Sequence, residues 1–354
     1  TNLYKCFLPQ AWMLGNARGV AGFLHPEGIY DDPKGGQLRA AVYPRLRGHF
    51  QFHNEMNLFP EVHHAMMYSI NIYGSWRDPP NFTHLANLFL PQAIDRGFSH
   101  DGSGLVPGIK EENASGKLTW NIQGHRDRLI PVGEHELSLF AKLYDEAGTP
   151  PLQARLPALH ARQLISVLAK FSAHPGRLGD LKRKYISLEM WHETNQQKDG
   201  TIRRKTQFPT EASQWIVSGP HFFVGTPLYK TPRVVCNANG HYDVLDLTTL
   251  PDDYLPRTNY MPHCSPDEYT VRTPRVPWND RSDLNTKRIT EYFRLAFRGM
   301  LQSKNEHTLF AAIIPPEVGH IHGVQSTAFR EISDLLAASS VTYSLLGDFY
   351  IKTT

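Results

Sequence analysis

The first 73 residues alternate between helical and strand-like hydrophobic patterns. A first helix is predicted because apolar residues recur every three or four positions, at Leu3, Phe7, Ala11 and Leu14. Gly15 stands where that helix is expected to end. The apolar run 20–24, closed by Pro26, is typical of a buried parallel strand.

The pattern continues with one more helix and two strands. Apolar residues at every fourth position predict a second amphipathic helix, at Leu38, Val42 and Leu46. Phe50 and Phe52 alternate with polar residues, and Tyr68, Ile70 and Ile72 do the same, as strands do. The order helix, strand, helix, strand, strand predicts the second half of a doubly wound α/β sheet, with no first half in the sequence.

Beyond this half-sheet the residue pattern changes twice. Residues 76–205 are predicted to form a loop-rich and helical connector, because Gly, Pro, Asn and Asp interrupt the stretch 74–133 and helical patterns follow at 134–144 and 159–171. Residues 206–354 are predicted to form an α+β domain with a mixed sheet. Its helices are expected at 286–301 and 328–338, and a buried strand at 308–314.

Composition sets only broad limits. Of 354 residues, 40% are hydrophobic and 20% charged, which is typical of a globular protein. The net charge of +3 permits nucleic-acid binding without demanding it. The three cysteines, Cys6, Cys236 and Cys264, are widely spaced and odd in number, which favours a reducing cytoplasm. Neither a signal peptide nor an apolar run of membrane length is present.

Several short segments together resemble one family. They are Asn2-Leu3-Tyr4 through Phe7, Gly22-Phe23-Leu24-His25-Pro26, Leu58-Phe59-Pro60 with Val62, and the segments 218–225, 230–233, 251–260 and 308–316. In these residues the chain is similar to adenine-specific DNA methyltransferases of type IIG restriction–modification systems and of BREX- or DISARM-like phage-defence systems. The resemblance implies that residues 1–75 are the C-terminal half of a Rossmann-like catalytic domain. Residues 206–354 would be most of a target-recognition domain.

The resemblance also implies a chemistry. Such enzymes transfer a methyl group from S-adenosylmethionine to the amino group of adenine, which must be extruded from duplex DNA. By resemblance, Phe7 packs on the adenine of the cofactor and Phe59 stacks on the flipped base. Pro60 and His63 lie in the same loop and would border the base pocket. The expected partners are double-stranded DNA and other restriction or defence subunits.

Two motifs of the family are missing. Neither the cofactor-binding Phe-x-Gly-x-Gly nor the catalytic Asn-Pro-Pro-Tyr occurs in the sequence. Asp78-Pro79-Pro80-Asn81 imitates the second motif, but Asn81 cannot stack on a base as an aromatic residue does. We therefore expect a fragment that carries no catalytic residue and is inactive alone.

DNA contacts are predicted at arginines of the last domain. Arg233 and Arg257 lie beside Pro or Thr in predicted loops, while Arg294 and Arg298 lie on the helix predicted at 286–301. Two basic triplets, 182–184 and 203–205, are further candidates, although a solvated surface is the more common meaning of such a triplet.

Two other functions remain open at this stage. The chain could be a non-catalytic DNA-specificity module that works with a separate catalytic chain. Alternatively it could be a nuclease or another hydrolase that uses Asp252 and His320. His320 and His322 have the alternate spacing of a metal-binding pair, but a structural turn is favoured because no clear third ligand lies near them.

Overall fold

The computed structural model describes residues 2–278, 286–300 and 305–353. It divides into two compact units. The first runs to Pro175 and includes Thr353, and the second spans Gly176–Lys352. The division therefore falls inside the stretch 76–205 that was predicted as a connector. The protein is mixed α/β, as predicted.

The first unit contains helices and strands in alternation. Its helices are α1 (Tyr4–Leu14), α2 (Gly36–Val42), α3 (Gln92–Ser99), α4 (Glu134–Tyr144) and α5 (Leu164–Ala173). Its strands are β1 (Ala21–Pro26), β2 (Leu46–His53), β3 (Met67–Tyr73), β4 (Phe82–Leu88), β5 (Lys110–Glu112), β6 (Leu118–Trp120) and β7 (Ile130–Val132).

Five of these strands form one mixed sheet in the order β1-β3-β2-β4-β7. β3 runs antiparallel to both β1 and β2, whereas β2 and β4 are parallel. The strands predicted around Phe50 and Ile70 are confirmed as β2 and β3. The sheet continues past residue 75 into β4 and β7, so the predicted boundary at 75 falls inside it. The turn-forming residues of 74–133 concealed four strands, β4 to β7, and helix α3.

The prediction that 20–24 is a buried parallel strand was wrong. β1 is an edge strand that pairs antiparallel with β3, and Leu24 is exposed. A short apolar run carries no information about which neighbour it pairs with, because burial and strand direction are set by distant parts of the chain.

The two faces of the sheet differ in chemistry. One face builds an apolar core from Phe50, Phe52, Tyr68, Leu85 and Leu88. The alternate positions on the other face are polar and equally buried: His25, His49, Gln51, Ser69, Asn71 and His84. We call these six residues and Glu27 the polar face. Successive side chains of a strand point to opposite faces, so the alternation of apolar and polar residues in the sequence corresponds to the two faces of the sheet.

The polar face is held by a chain of hydrogen bonds. His49 Nδ1 lies 2.8 Å from His84 Nδ1, and His49 Nε2 lies 3.2 Å from Glu27 Oε1. Gln51 Nε2 donates to Glu27 Oε2 at 3.1 Å. Burial raises the pKa of the Glu27 carboxyl, but His49 and the hydrogen bonds outweigh it and lower that pKa to about 2. Burial lowers the pKa of His84 to about 3.

Helix α1 covers part of the polar face, but not with the side that was predicted to be its apolar face. Tyr4 stacks on His25 at 5.4 Å between ring centres, Leu8 is buried, and Trp12 meets Tyr73 at 5.9 Å. The stripe predicted as its apolar face points to solvent instead, with exposed fractions of 78% for Leu3, 58% for Phe7 and 89% for Leu14.

The second unit is α+β. Its helices are α6 (Glu193–Lys198), α7 (Pro266–Arg272), α8 (Ile332–Thr342) and α9 (Leu345–Thr353). Its strands are β8 (Tyr185–Leu188), β9 (Ile202–Gln207), β10 (Ile216–Val217), β11 (Lys230–Pro232), β12 (Tyr242–Val244), β13 (Thr258–Pro262), β14 (Arg294–Arg298), β15 (Ala311–Ile314), β16 (Gly319–His320) and β17 (Val324–Phe329).

A four-stranded antiparallel sheet of order β15-β14-β17-β8 lies at the centre of this unit. Three strand pairs accompany it, namely β9 with β13, β11 with β12, and the parallel pair β10 with β16. The helix predicted at 286–301 was wrong for residues 286–300, where β14 follows a short 3-10 turn; residue 301 lies outside the described ranges. Leu295 and Ala296 are adjacent and both buried, as in a strand covered on both faces. Apolar residues in such a strand can also match the spacing of a helix, which explains the error.

The polar face predicts how the stability of the first unit depends on pH. Neutral His84 is favoured by the fold, whereas the unfolded chain binds a proton below about pH 6.5. Its contribution is therefore complete above pH 6.5 and is lost as the pH falls towards 3. We expect His84→Gln to reduce the slope of unfolding free energy against pH by up to about 1.4 kcal/mol per pH unit in this window.

Urea titrations between pH 7.5 and 4.5 would measure that slope. His135→Gln is the matched control, because the His135 side chain is exposed on α4. An unchanged slope in His84→Gln would contradict the assignment; a partial slope is expected to remain because burial also lowers the pKa values of His25 and His160.

Candidate functional site

The loop 54–66 joins β2 to β3 at the carboxyl end of β2 and is held by one side chain. Asn54 is fully buried, and its amide nitrogen donates to Phe59 O at 2.9 Å and to Val62 O at 2.7 Å. Its amide oxygen accepts from Phe59 N at 3.1 Å. Three hydrogen bonds from one buried amide fix the loop that carries the predicted base-stacking residue.

Phe59 itself is half-buried. Its ring meets Tyr68 edge-on, with 5.1 Å between ring centres, and packs against the apolar core of the sheet. Pro60 and His63 are exposed in the same loop. The structure thus brings together the three residues predicted to contact a target base. An aromatic ring anchored at one edge and partly open to solvent can stack on a planar ligand.

His63 and His64 form a small aromatic pair in the same loop as Phe59. Their ring centres lie 4.5 Å apart, and His64 Nδ1 lies 3.2 Å from Glu55 Oε1. This contact orients the second imidazole and leaves His63 exposed at the tip of the loop. An exposed imidazole next to an aromatic ring suits contact with a base or a phosphate.

The neighbouring strand end contributes residues that the sequence analysis missed. Because β2 and β4 are parallel, their carboxyl ends meet at one edge of the sheet, where open α/β sheets place their ligands. His53 Nε2 lies 3.1 Å from Asn87 Oδ1, and Asn87 adopts a left-handed backbone with φ of 58°. Arg128, fully buried, donates to Ala86 O and Asn87 O. An Asn near a strand end was the available signal, because Asn tolerates this conformation.

Phe7, predicted to hold the cofactor, lies on a separate element. It belongs to the exposed stripe of α1. The prediction about S-adenosylmethionine therefore stays a prediction, carried by an exposed aromatic ring on a helix.

Two of the predicted DNA-contacting arginines lie in one neighbourhood of the second unit. The Arg257 guanidinium lies 4.5 Å from the ring centre of Phe208, and its Nη1 donates to Pro232 O at 3.4 Å. Arg233 follows directly and is exposed, with its Nε donating to Asp243 Oδ1 at 2.9 Å. Arg204 on β9 is also exposed and donates to Cys236 O.

We call Arg204, Arg233 and Arg257 the basic ribbon, since β9, β11 and β13 carry or adjoin them. Arg203 and Lys205 are further exposed cations on β9. A surface of this kind can neutralise phosphates of a nucleic-acid backbone.

The other two predicted arginines have different fates. Arg294 is completely buried on β14, where it donates to Val318 O, and burial lowers its pKa to about 10. A phosphate cannot reach it in this structure, so its assignment as a DNA contact is corrected; the error followed from the wrong helix. Arg298, at the end of β14, is half-buried with its guanidinium 5.5 Å from the ring centre of Phe310.

The histidines proposed for a metal-dependent hydrolase do not converge. His320 is buried and lies 2.8 Å from Ser326 Oγ, whereas His322 stacks on His192. Within residues 2–278, 286–300 and 305–353, no three His, Cys, Asp or Glu side chains are placed to share an ion. Asp252 and Asp253 sit in an exposed turn, as their adjacency suggested.

A search of the described residues for a helix of sufficient length and hydrophobicity to cross a membrane finds none. Comparison with models of known protein families gives no match for this chain. Comparison with curated proteins gives none either.

The hydrogen bonds of Asn54 generate a prediction about the loop 54–66. Asn54→Ala removes all three bonds and leaves the carbonyls of Phe59 and Val62 without this donor, so we expect a loss of about 1–3 kcal/mol in local stability. Amide hydrogen exchange of residues 54–66 should accelerate accordingly.

Asn113→Ala is the matched control, because Asn113 Oδ1 accepts three hydrogen bonds in the separate, exposed turn between β5 and β6. It should loosen that turn and leave exchange in 54–66 unchanged. Equal exchange in Asn54→Ala and the unsubstituted protein would show that the loop is held by other contacts.

Proposed function

We propose that this chain is the base-stacking and DNA-recognising part of a site-specific adenine DNA methyltransferase of a restriction–modification or phage-defence system. The observation that carries the proposal is the fixed loop 54–66, which presents Phe59 at the carboxyl edge of the sheet. The motif resemblance assigns that residue to the flipped base, and its partly open ring, anchored on Tyr68, suits the assignment.

The free edge of β1 is consistent with a further half of the catalytic domain that would pair with this sheet. In the part of the chain that is described, no strand pairs with the outer edge of β1, so its backbone groups are available to another strand. On α1, the stripe of Leu3, Phe7 and Leu14 leaves an apolar helix surface in solvent. A half-sheet bearing Phe-x-Gly-x-Gly and Asn-Pro-Pro-aromatic would cover both.

The roles of the residues follow from this arrangement. S-adenosylmethionine, when bound, supplies the methyl group. Phe59 would stack on the extruded adenine and so lower the cost of removing it from the helix. Pro60 and His63 would close the side of the pocket. Phe7 would lie against the cofactor once its stripe is covered. The amino group would be held by the Asn-Pro-Pro-aromatic loop, which this chain lacks.

DNA binding is assigned to the second unit. The basic ribbon supplies cations for phosphates, and the guanidinium of Arg257 is oriented by its stack on Phe208. A guanidinium so oriented loses less conformational freedom when it binds. Arg298 is a further contact in the proposal.

A second candidate is a DNA-specificity module that acts with a separate catalytic chain. The absence of both catalytic motifs from the sequence favours it, and the basic ribbon suits it equally. Sequencing the DNA upstream of the first codon separates the two. An in-frame extension carrying both motifs supports the methyltransferase, whereas a stop codon followed by a start site supports the module.

The stacking role of Phe59 is tested in the protein that carries the catalytic motifs. We expect Phe59→Ala to lower the single-turnover methylation rate by about five- to a hundredfold, as the loss of one stacked base would, with a much smaller change in DNA affinity. Phe98→Ala is the control, because Phe98 is also a phenylalanine at the margin of the apolar core of the sheet, where its ring meets Phe50. A rate unchanged by Phe59→Ala refutes the stacking role.

The basic ribbon is tested by the salt dependence of binding to a duplex. If Arg257 neutralises one phosphate, Arg257→Ala should weaken binding and reduce the slope of log K against log salt by about 0.9. Arg233→Ala should act in the same direction. Arg162→Ala is the control, because Arg162 is an exposed arginine of the first unit paired with an aspartate, as Arg233 is. Identical slopes for all variants would remove the ribbon from the DNA interface.

A further inference from the structure

The first unit has a cleft at the end of the sheet opposite to the loop 54–66. Its volume is about 260 Å³. Its walls are the end of α1 with the turn after it, the residue that precedes β2, and the segment that follows β3. The side chains used below are Trp12, Asn16, Arg45, Ser75 and Trp76, and no Asp or Glu is among the described residues that line the cleft.

Arg45 is the central cation of the cleft. Its guanidinium carbon lies 4.7 Å from the ring centre of Trp12 and 4.8 Å from that of Trp76. One nitrogen donates to Ala41 O at 2.8 Å. Among the described residues no carboxylate pairs with Arg45, and burial lowers its pKa. The rings of Trp12 and Trp76 hold the guanidinium in place, and its positive charge can pair with the anion of a ligand.

The other polar groups of the cleft are suited to donate. Asn16 and Ser75 are exposed and contribute an amide and a hydroxyl. Arg47 lies behind the wall, where it donates to Ser75 O, and adds positive charge. With Arg45 in its wall, Arg47 behind it and no carboxylate among the described lining residues, the cleft favours an anion.

Trp76 adds a surface for a planar ring. It is 55% exposed, although only one of its faces is occupied by Arg45. Exposed tryptophan rings are the usual platforms on which nucleobases stack. The cleft lies just below the volume range of pockets for drug-sized ligands, which matches a single small molecule.

We propose that this cleft binds a free nucleoside phosphate. The phosphate lies on Arg45, and the base stacks on Trp76. This site is additional to the proposed function, because base stacking by Phe59 and DNA recognition use the opposite end of the sheet and the second unit, and Phe7 is not among the residues that line the cleft.

Isothermal titration calorimetry of the full chain tests the site with ATP as the probe. Saturable binding of one ATP is expected. Trp76→Ala should weaken it by about five- to a hundredfold, because one base stack is lost. Arg45→Gln should weaken it at least about tenfold, because a charge-assisted contact to phosphate is lost. Inorganic tripolyphosphate should bind more weakly than ATP.

Trp120→Ala is the matched control. Trp120 also lies beneath a cation, with Lys110 Nζ 4.6 Å from its ring centre, but it belongs to the β5–β6 hairpin. It should leave ATP binding unchanged. Because Trp76 is exposed, its variant is expected to fold, which a thermal melt checks.

Three results would overturn the proposal. They are the absence of saturable ATP binding, equal affinity for tripolyphosphate and ATP, and unchanged binding in Trp76→Ala. Binding of a short single-stranded oligonucleotide without binding of ATP would also overturn it, in favour of a nucleic-acid strand. Duplex affinity measured on the same variants keeps the two proposals separate, since Trp76→Ala should not change it.

Discussion

The hydrogen-bonded contact of Glu27 with His49 and Gln51 is the constraint on which the first unit depends. A carboxylate taken out of water is costly unless it is paired, and Glu27 is buried. Its partners lie on β2, while His49 continues the chain to His84 on β4. The contact therefore ties the residue after β1 to two other strands. It also fixes register, because a shift of β2 by one residue would turn His49 into the apolar core.

That register has a functional consequence in the proposed enzyme. The polar positions of β2 end at His53, and the next residue is Asn54, whose amide holds the loop 54–66. The position of Phe59 thus depends on two sets of contacts. Asn54 holds the loop, and the hydrogen bonds of Glu27 on the polar face hold β2, from which the loop starts. A base-stacking residue needs such support, because a displaced ring no longer overlaps its target.

Sequence patterns gave reliable information on alternation and poor information on what covers each face. Alternation predicted β2 and β3, but it did not reveal that the polar residues His49 and Asn71 are buried. In α1 the stripe of Leu3 and Phe7 is exposed while Tyr4 and Trp12 face the sheet. Periodicity is a local property, whereas burial depends on residues far along the chain.

The predicted DNA-contacting arginines show the same limit. Arg257 is partly exposed and Arg294 is buried, although both were predicted as DNA contacts because of their positive charge. Of the candidate site, Phe59, Pro60 and His63 were named from the family resemblance and stay predictions. Asn87 and Arg128 were missed, because their contacts arise from the pairing of β2 with β4.

The distance between the two sites proposed in the first unit makes them independent. The loop with Phe59 follows the carboxyl end of β2, and Arg45 precedes the amino end of the same strand. Eight residues of strand at about 3.3 Å each separate them by about 25 Å. A nucleotide in the cleft therefore cannot touch a base stacked on Phe59. Any effect of one ligand on the other would have to pass through β2 and the polar face, where packed and hydrogen-bonded groups leave little freedom for small shifts. Binding at the two edges is thus expected to be additive, and coupling between them would require that the Glu27 contact has a second arrangement.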